Sequence, residues 1–165
     1  MKRFTRLYLK WREMKPSSFI FTTVILNFIL SIPIMLLLIL FDISENDIGG
    51  VEEDKFSFLG LFTFAVVIAP LVETLIGQSL PIRLIQKYSA RKPNIIALAV
   101  SAIIFSLMHF GYSIWYSLLT LPMGVLLAQA YIIFQERKES SFWVTCAIHS
   151  FRNLIAVITI SISSP

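Results

Sequence analysis

FSFLGLFTFAVVIAPLVETLIGQSLPI, residues 56–82, decides how this chain is read. It stays apolar for longer than the roughly 20 residues needed to cross a hydrocarbon core of about 30 Å. One acid, Glu73, breaks it near the middle. Four further apolar stretches, at 18–41, 94–112, 113–134 and 141–163, flank it, and 94–112 is of marginal spanning length. The run 18–41 is too long for the apolar part of a signal peptide. It is followed by Asp42-Ile43-Ser44-Glu45, not by a cleavage pattern of small residues, so it is read as a retained membrane helix. The 165 residues are 56% hydrophobic and 15% charged, with a mean hydropathy of +0.78. Soluble domains run nearer about 45–50% apolar and about 25% charged. The expected fold is an all-α, polytopic transmembrane bundle of about five spanning helices. Residues 1–17 read as a basic juxtamembrane segment. Residues 18–55 give the first transmembrane helix and an acidic outer loop, and 56–165 a four-helix core that bears the motifs.

The charges test this layout. Residues 1–17 carry Lys2, Arg3, Arg6, Lys10, Arg12 and Lys15 against Glu13. Residues 42–55 are acidic apart from Lys55, 83–92 carry Arg83, Lys87, Arg91 and Lys92 with no acid, and 135–140 are balanced. Basic loops stay in the cytoplasm. The N-terminus, the 83–92 loop and the 135–140 loop are therefore predicted inside, and the 42–55 loop and the turn near Gly111 outside. The same placement accounts for a net charge of +4 and a pI near 9.4 without nucleic acid. The implied partner is the lipid bilayer, and the implied location a cell membrane crossed several times. Trp11 and Tyr8 sit on the basic segment, as in an amphipathic stretch on the inner leaflet. Trp115, Tyr116, Tyr131 and Trp143 read as interface markers or packing residues. The single cysteine, Cys146, allows no internal disulfide and reads as a packing residue.

Inside the apolar stretches only two charged residues remain, Glu73 and Arg152, together with both histidines, His109 and His149. An ionisable group at bilayer depth costs at least about 2.5–3.5 kcal/mol, so it is usually kept for a function or a specific pair. His149 and Asn153 are four apart and share a helix face, with Arg152 close to it; Phe105 and His109 are also four apart. Thr74 and Gln78, beside Glu73, form another such pair. A carboxylate with a histidine can activate water. A histidine with an asparagine can donate to a developing oxyanion. Alternatively, Glu73, His109 and His149 form a ligand set for zinc that leaves a position open for water. A structural Glu73–Arg152 ion pair stands beside these readings, as do interior hydrogen-bonded histidines. Pro70 frees a carbonyl one turn back, at Val66, and kinks the helix just before Glu73.

Three of these segments resemble motifs of the CAAX-protease and bacteriocin-processing (CPBP) membrane proteases, the family that includes CAAX prenyl proteases, bacteriocin self-immunity proteins and lysostaphin-resistance-like proteins. Ala69-Pro70-Leu71-Val72-Glu73-Thr74-Leu75-Ile76-Gly77-Gln78 resembles the first motif, Glu-Glu-x-x-x-Arg. Phe105-Ser106-Leu107-Met108-His109 matches Phe-x-x-x-His, and His149-Ser150-Phe151-Arg152-Asn153 matches His-x-x-x-Asn. The order fits, and the resemblance covers about residues 60–160. It implies that Glu73 and His109 activate water and that His149 and Asn153 steady the oxyanion. It implies a membrane-associated peptide or protein tail as substrate, cut near the cytoplasmic half of the bilayer, with bacteriocin processing or self-immunity as the role. Zinc is implied only if the site is metal-dependent.

The chain departs from the first motif at two positions. Thr74 stands for the second glutamate and Gln78 for the arginine. Losing one partner of a buried ion pair costs about 3–5 kcal/mol, whereas losing both is physically coherent. The alternative function is accordingly a catalytically degenerate binding or immunity protein on the same scaffold. A proton-coupled carrier titrating Glu73 is a third class. The span boundaries leave one conflict. With an inner end at Ile82, Glu73 lies about 13 Å deep and His149, counted from Ser141, about 12 Å, whereas His109 lies about 22 Å from Asn94.

Overall fold

The computed structural model describes residues 2–50 and 56–163, so Glu52, Glu53, Asp54 and Lys55 of the acidic stretch lie outside the described residues. Among the described residues seven helices account for the regular structure: α1 Lys2–Arg12, α2 Pro16–Leu40, α3 Glu45–Ile48, α4 Phe58–Tyr88, α5 Pro93–Met108, α6 Ile114–Gln135 and α7 Ser141–Ser163. Four of them, α2, α4, α6 and α7, are long and apolar enough to cross a membrane. The fifth, α5, is a shorter apolar helix. Its 16 residues extend only about 24 Å, so it falls short of a full hydrocarbon core. The chain is a multi-pass membrane protein built as a helical bundle.

Several helices start for a local reason. Prolines open α2 and α5, where their missing N–H is unpaired in any helix. Lys92 turns into the left-handed region (φ 44°) just before Pro93, which makes the α4–α5 reversal tight. Ser113 caps α6 by accepting from the Tyr116 N–H at 3.0 Å, and its own hydroxyl donates to the Ile48 carbonyl at 2.5 Å. One residue thus begins α6 and ties α3 over its end. Ser44 and Asp47 close α3 with a reciprocal capping box.

α6 is the axis of the bundle. Two thirds of its spanning window is buried, against about a quarter for each other span. It crosses α5 closely at Gly124, where a Cβ would meet the Ala102 carbonyl oxygen at 2.9 Å. Small residues let membrane helices approach this way. Tyr131 on α6 is fully buried and bonds Ser79 and Arg83 of α4, both at 2.9 Å. It is a packing residue that holds two helices together; Trp143, by contrast, is exposed.

The polar ends sort as the charge pattern predicts. At one end Arg12 pairs with Glu136, Arg137 donates to the Met14 carbonyl, and Gln86 bonds Asn94 and Gln135. That end gathers the N-terminal segment, the 83–92 turn and the 135–140 turn. At the other end α3 lies against the 109–113 turn.

α4 is not a regular α-helix. Two stretches, Thr63–Ile68 and Thr74–Ser79, are wound as π-helix on either side of Glu73. π-turns of this kind occur mostly as local bulges and often at functional sites. The Ala69 N–H reaches five residues back to Phe64. In that register the N–H that Pro70 lacks would have served Ala65, not Val66. The carbonyl met from outside is accordingly Ala65's, which corrects the sequence-based placement at Val66. At the second stretch Leu80 N–H reaches Leu75 and Pro81 has no N–H; there the carbonyl met from outside is that of Gly77, four residues before the proline, by the Ser101 hydroxyl of α5 at 2.7 Å.

Candidate active site

Glu73 stands midway along α4, between the two π stretches, and its carboxylate faces α5 and α7. Its Oε2 is 3.4 Å from His109 Nε2 and 3.7 Å from His149 Nε2. Neither contact has closed to a hydrogen bond, and Oε2 is buried without one. Catalytic contacts in unliganded sites are often this loose and tighten around substrate. The three side chains border one cavity of about 70 Å³, which Asn153 and Arg152 also line.

Glu73 and His109 come to equal depth because α4 runs on to Tyr88. Glu73 is fifteen residues before that end and His109 sixteen after Pro93, so both lie about 22–24 Å from the α4–α5 turn. Arg83 had suggested an earlier end, but its guanidinium donates to the buried Tyr131 hydroxyl and the helix continues past it. His149 lies only eight residues into α7 and still reaches Glu73.

His109 follows the last residue of α5, as its C-cap. Its Nδ1 is 2.8 Å from the Phe105 carbonyl, one turn back. A carbonyl only accepts, so Nδ1 carries a proton, and in the neutral ring the Nε2 lone pair would face Glu73. This is why the spacing of Phe105 and His109 matters: it brings the backbone carbonyl of Phe105 under the ring. The Phe105 ring itself packs edge-on to His149, with centroids 5.4 Å apart. His149 is buried and its Nδ1 has no partner among the described residues.

Asn153 does two things. Its Nδ2 donates to the Ala65 carbonyl at 2.9 Å, clamping α7 to the first π stretch, and its Oδ1 accepts a long 3.4 Å contact from Arg152. One amide N–H is thereby committed and one is left for the cavity. Arg152 makes no ion pair with Glu73, and no carboxylate among the described residues lies at ion-pair distance from it. The structural-pair reading of Glu73 therefore gives way to the two histidines.

Thr74 and Gln78 are fully buried, and neither bonds the other: Thr74 Oγ1 and both polar atoms of Gln78 lack partners among the described residues. The zinc alternative meets a geometric test. A zinc ion needs its protein donors at about 2.0–2.2 Å from one centre. Among the described residues no group of three or more His, Cys, Asp or Glu is arranged to hold a metal ion. No step below is routed through one.

Sequence reasoning did not assign Asn27, Tyr112 or Thr120 to the site, and it read Tyr116 as interface or packing; all four line the cavity. His109 sits 5.8 Å from the Tyr116 ring, centroid to centroid. Neither tyrosine belongs to a motif, and nothing in their spacing predicts that the turn folds them over the histidine. Asn27 carried a faint signal, as a lone amide in the apolar run 18–41.

Comparison with curated proteins and with solved structures returns no match. The family model described as type II CAAX prenyl endopeptidase Rce1-like matches residues 55–155. That span takes in α4, α5, α6 and most of α7, with Glu73, His109, His149 and Asn153 among them. With well over half of its residues inside the match, the chain belongs to the Rce1-like family of type II CAAX prenyl endopeptidases.

Proposed function

We propose that this protein is an intramembrane endopeptidase that hydrolyses a peptide bond in a membrane-associated peptide or protein tail, with Glu73 as general base. One observation carries the reading: a single buried carboxylate oxygen faces two imidazole Nε2 atoms in one cavity inside a membrane bundle. In the neutral His109 ring, Nε2 and Glu73 Oε2 are both acceptors, 3.4 Å apart. Two acceptors at that distance need a donor against both, and a water molecule supplies it. Glu73 takes a proton from that water as its oxygen bonds to the scissile carbonyl carbon. The oxyanion accepts from His149 and from the N–H of Asn153 not spent on Ala65. The C–N bond then breaks, and Glu73 passes its proton to the leaving amine.

Membrane-active peptides such as bacteriocins fit this substrate class, which would make the chain part of their processing or of self-immunity at a cell membrane. The test is turnover of a membrane-anchored, internally quenched peptide by protein reconstituted in vesicles. General-base catalysis contributes about 10²–10⁴-fold. Glu73→Gln is therefore expected to lower turnover at least about 100-fold with the melting temperature unchanged. Wild-type turnover in Glu73→Gln would overturn the reading.

One observation favours a second reading, a binding protein that has lost its chemistry. Thr74 and Gln78 leave the shell behind Glu73 without the ion pair of the first motif and without bonds of their own. Such a protein would tolerate Glu73→Gln and His109→Ala in a binding or protection assay.

A further inference from the structure

A second hollow adjoins the site. A groove of about 350 Å³ runs between α2, α3 and α6, walled by Phe28, Met35, Leu38, Ile39, Ile48 and Leu119. Met35 and Ile39 also face outward, where lipid chains run, so the groove opens sideways. It shares a wall with the Glu73 cavity, since Asn27, Tyr116, Leu119, Thr120 and Arg152 line both.

Asn27 is the unexplained residue at that junction. It is only 2% exposed, and its Nδ2 has no hydrogen-bond partner among the described residues. A buried amide without a partner costs about 1–3 kcal/mol, and more apolar residues of that size would avoid the cost. It lies on α2, outside the residues 55–155 that match the family model, so the match does not account for it.

We infer that Asn27 is a substrate-binding residue: its amide donates to a backbone carbonyl of an extended apolar peptide segment lying in the α2–α3–α6 groove next to Glu73. The chemistry of the occupant supports this. A peptide bond can be hydrolysed only where its backbone is unwound, and an unwound segment in lipid carries carbonyls with no partner. The groove gives such a segment apolar walls and, at its inner end, one free amide donor. A lipid acyl chain would match the walls but leave the amide unserved. The Asn153 amide is half committed to Ala65, so of the two amides Asn27 has the larger free capacity, and the Arg152 guanidinium lines the same junction.

The inference rests on the peptide-cleaving reading for its meaning, but its test does not need turnover. The probe is a fluorescein-labelled leucine–alanine peptide, long enough to span the bilayer and broken centrally by Gly-Gly. Its binding is measured by anisotropy in phosphatidylglycerol nanodiscs on the Glu73→Gln protein, which keeps it intact. Asn27→Leu in that background is expected to weaken binding about tenfold, with the melting temperature unchanged or raised. A second arm leaves the protein alone: replacing the Gly-Gly carbonyl by a methylene weakens binding by a similar factor, and Asn27→Leu then adds nothing. Unchanged binding in either arm overturns the inference, including the case where the groove holds only lipid. Failure of the protease reading would appear elsewhere, as wild-type turnover in Glu73→Gln.

Discussion

At the scale of single residues, Thr74 and Gln78 mark what the chain has exchanged. Both are fully buried and make no side-chain hydrogen bond among the described residues. Replacing an unserved buried polar group with an apolar one of similar shape removes a penalty of about 1–3 kcal/mol. Gln78→Leu and Thr74→Val are therefore each expected to raise the melting temperature of purified protein; a fall would mean that the polar groups are served in the membrane. Charge behaves otherwise. Thr74→Glu alone buries an unpaired carboxylate and is expected to cost about 3–5 kcal/mol, and adding Gln78→Arg should recover most of it. Thermal melting of the single and double variants measures both steps. Excess chelator decides whether zinc takes part: loss of turnover that added zinc restores would put a metal between Glu73, His109 and His149, whereas unchanged turnover would leave Glu73 acting on water alone. The residues that were legible in the sequence at this scale are those whose cost is visible there. Glu73, His109, His149 and Arg152 stand out because ionisable groups are scarce in apolar runs. Tyr112 and Tyr116 were not, since aromatics are common at membrane boundaries and only the fold of the 109–113 turn brings them to His109.

At the scale of elements, α4 is held in an unusual winding by its neighbours. Each π stretch is followed by a proline, and near each proline a carbonyl of α4 is met by a side chain from another helix: Asn153 for Ala65 and Ser101 for Gly77. Asn153→Leu should therefore destabilise the bundle by about 1–3 kcal/mol. Pro70→Ala, which returns an N–H to the helix, should recover part of that loss, a rescue that a purely catalytic asparagine would not show. At the α5–α6 crossing, Gly124→Ala pushes a methyl against the Ala102 backbone and should cost about 1–3 kcal/mol, read as a lower melting temperature. The sequence signalled where these helices are but not how they are wound. Proline positions say which N–H groups are missing, whereas the π register depends on which carbonyls other helices can reach. The boundary of α4 was misjudged for a related reason. A charged residue such as Arg83 does not end a helix when its head finds a hydroxyl like that of Tyr131.

At the scale of the whole molecule, the five apolar stretches and the alternation of charge foretold the bundle, because the bilayer imposes both. The clustering of the N-terminal segment with the 83–92 and 135–140 turns at one end follows from that alternation. Orientation has a direct check. A reporter inserted at Ser89 is expected on the cytoplasmic side and one at Asp47 on the opposite side; the reverse result would mean that the 42–55 segment is retained inside. The groove and its junction with the cavity were invisible in the sequence, since they arise from how α2 leans on α6 and no single residue encodes that.

The two carbonyls of α4 that other helices serve also set a schedule for biosynthesis. A ribosome makes α4 well before α7 exists, so until Asn153 is synthesised and inserted no side chain of α7 can hold the register that leaves the Ala65 carbonyl to an outside donor. The winding around Glu73 is then a late event in assembly, and the acid is presented to the histidines only in a molecule whose helices have all arrived.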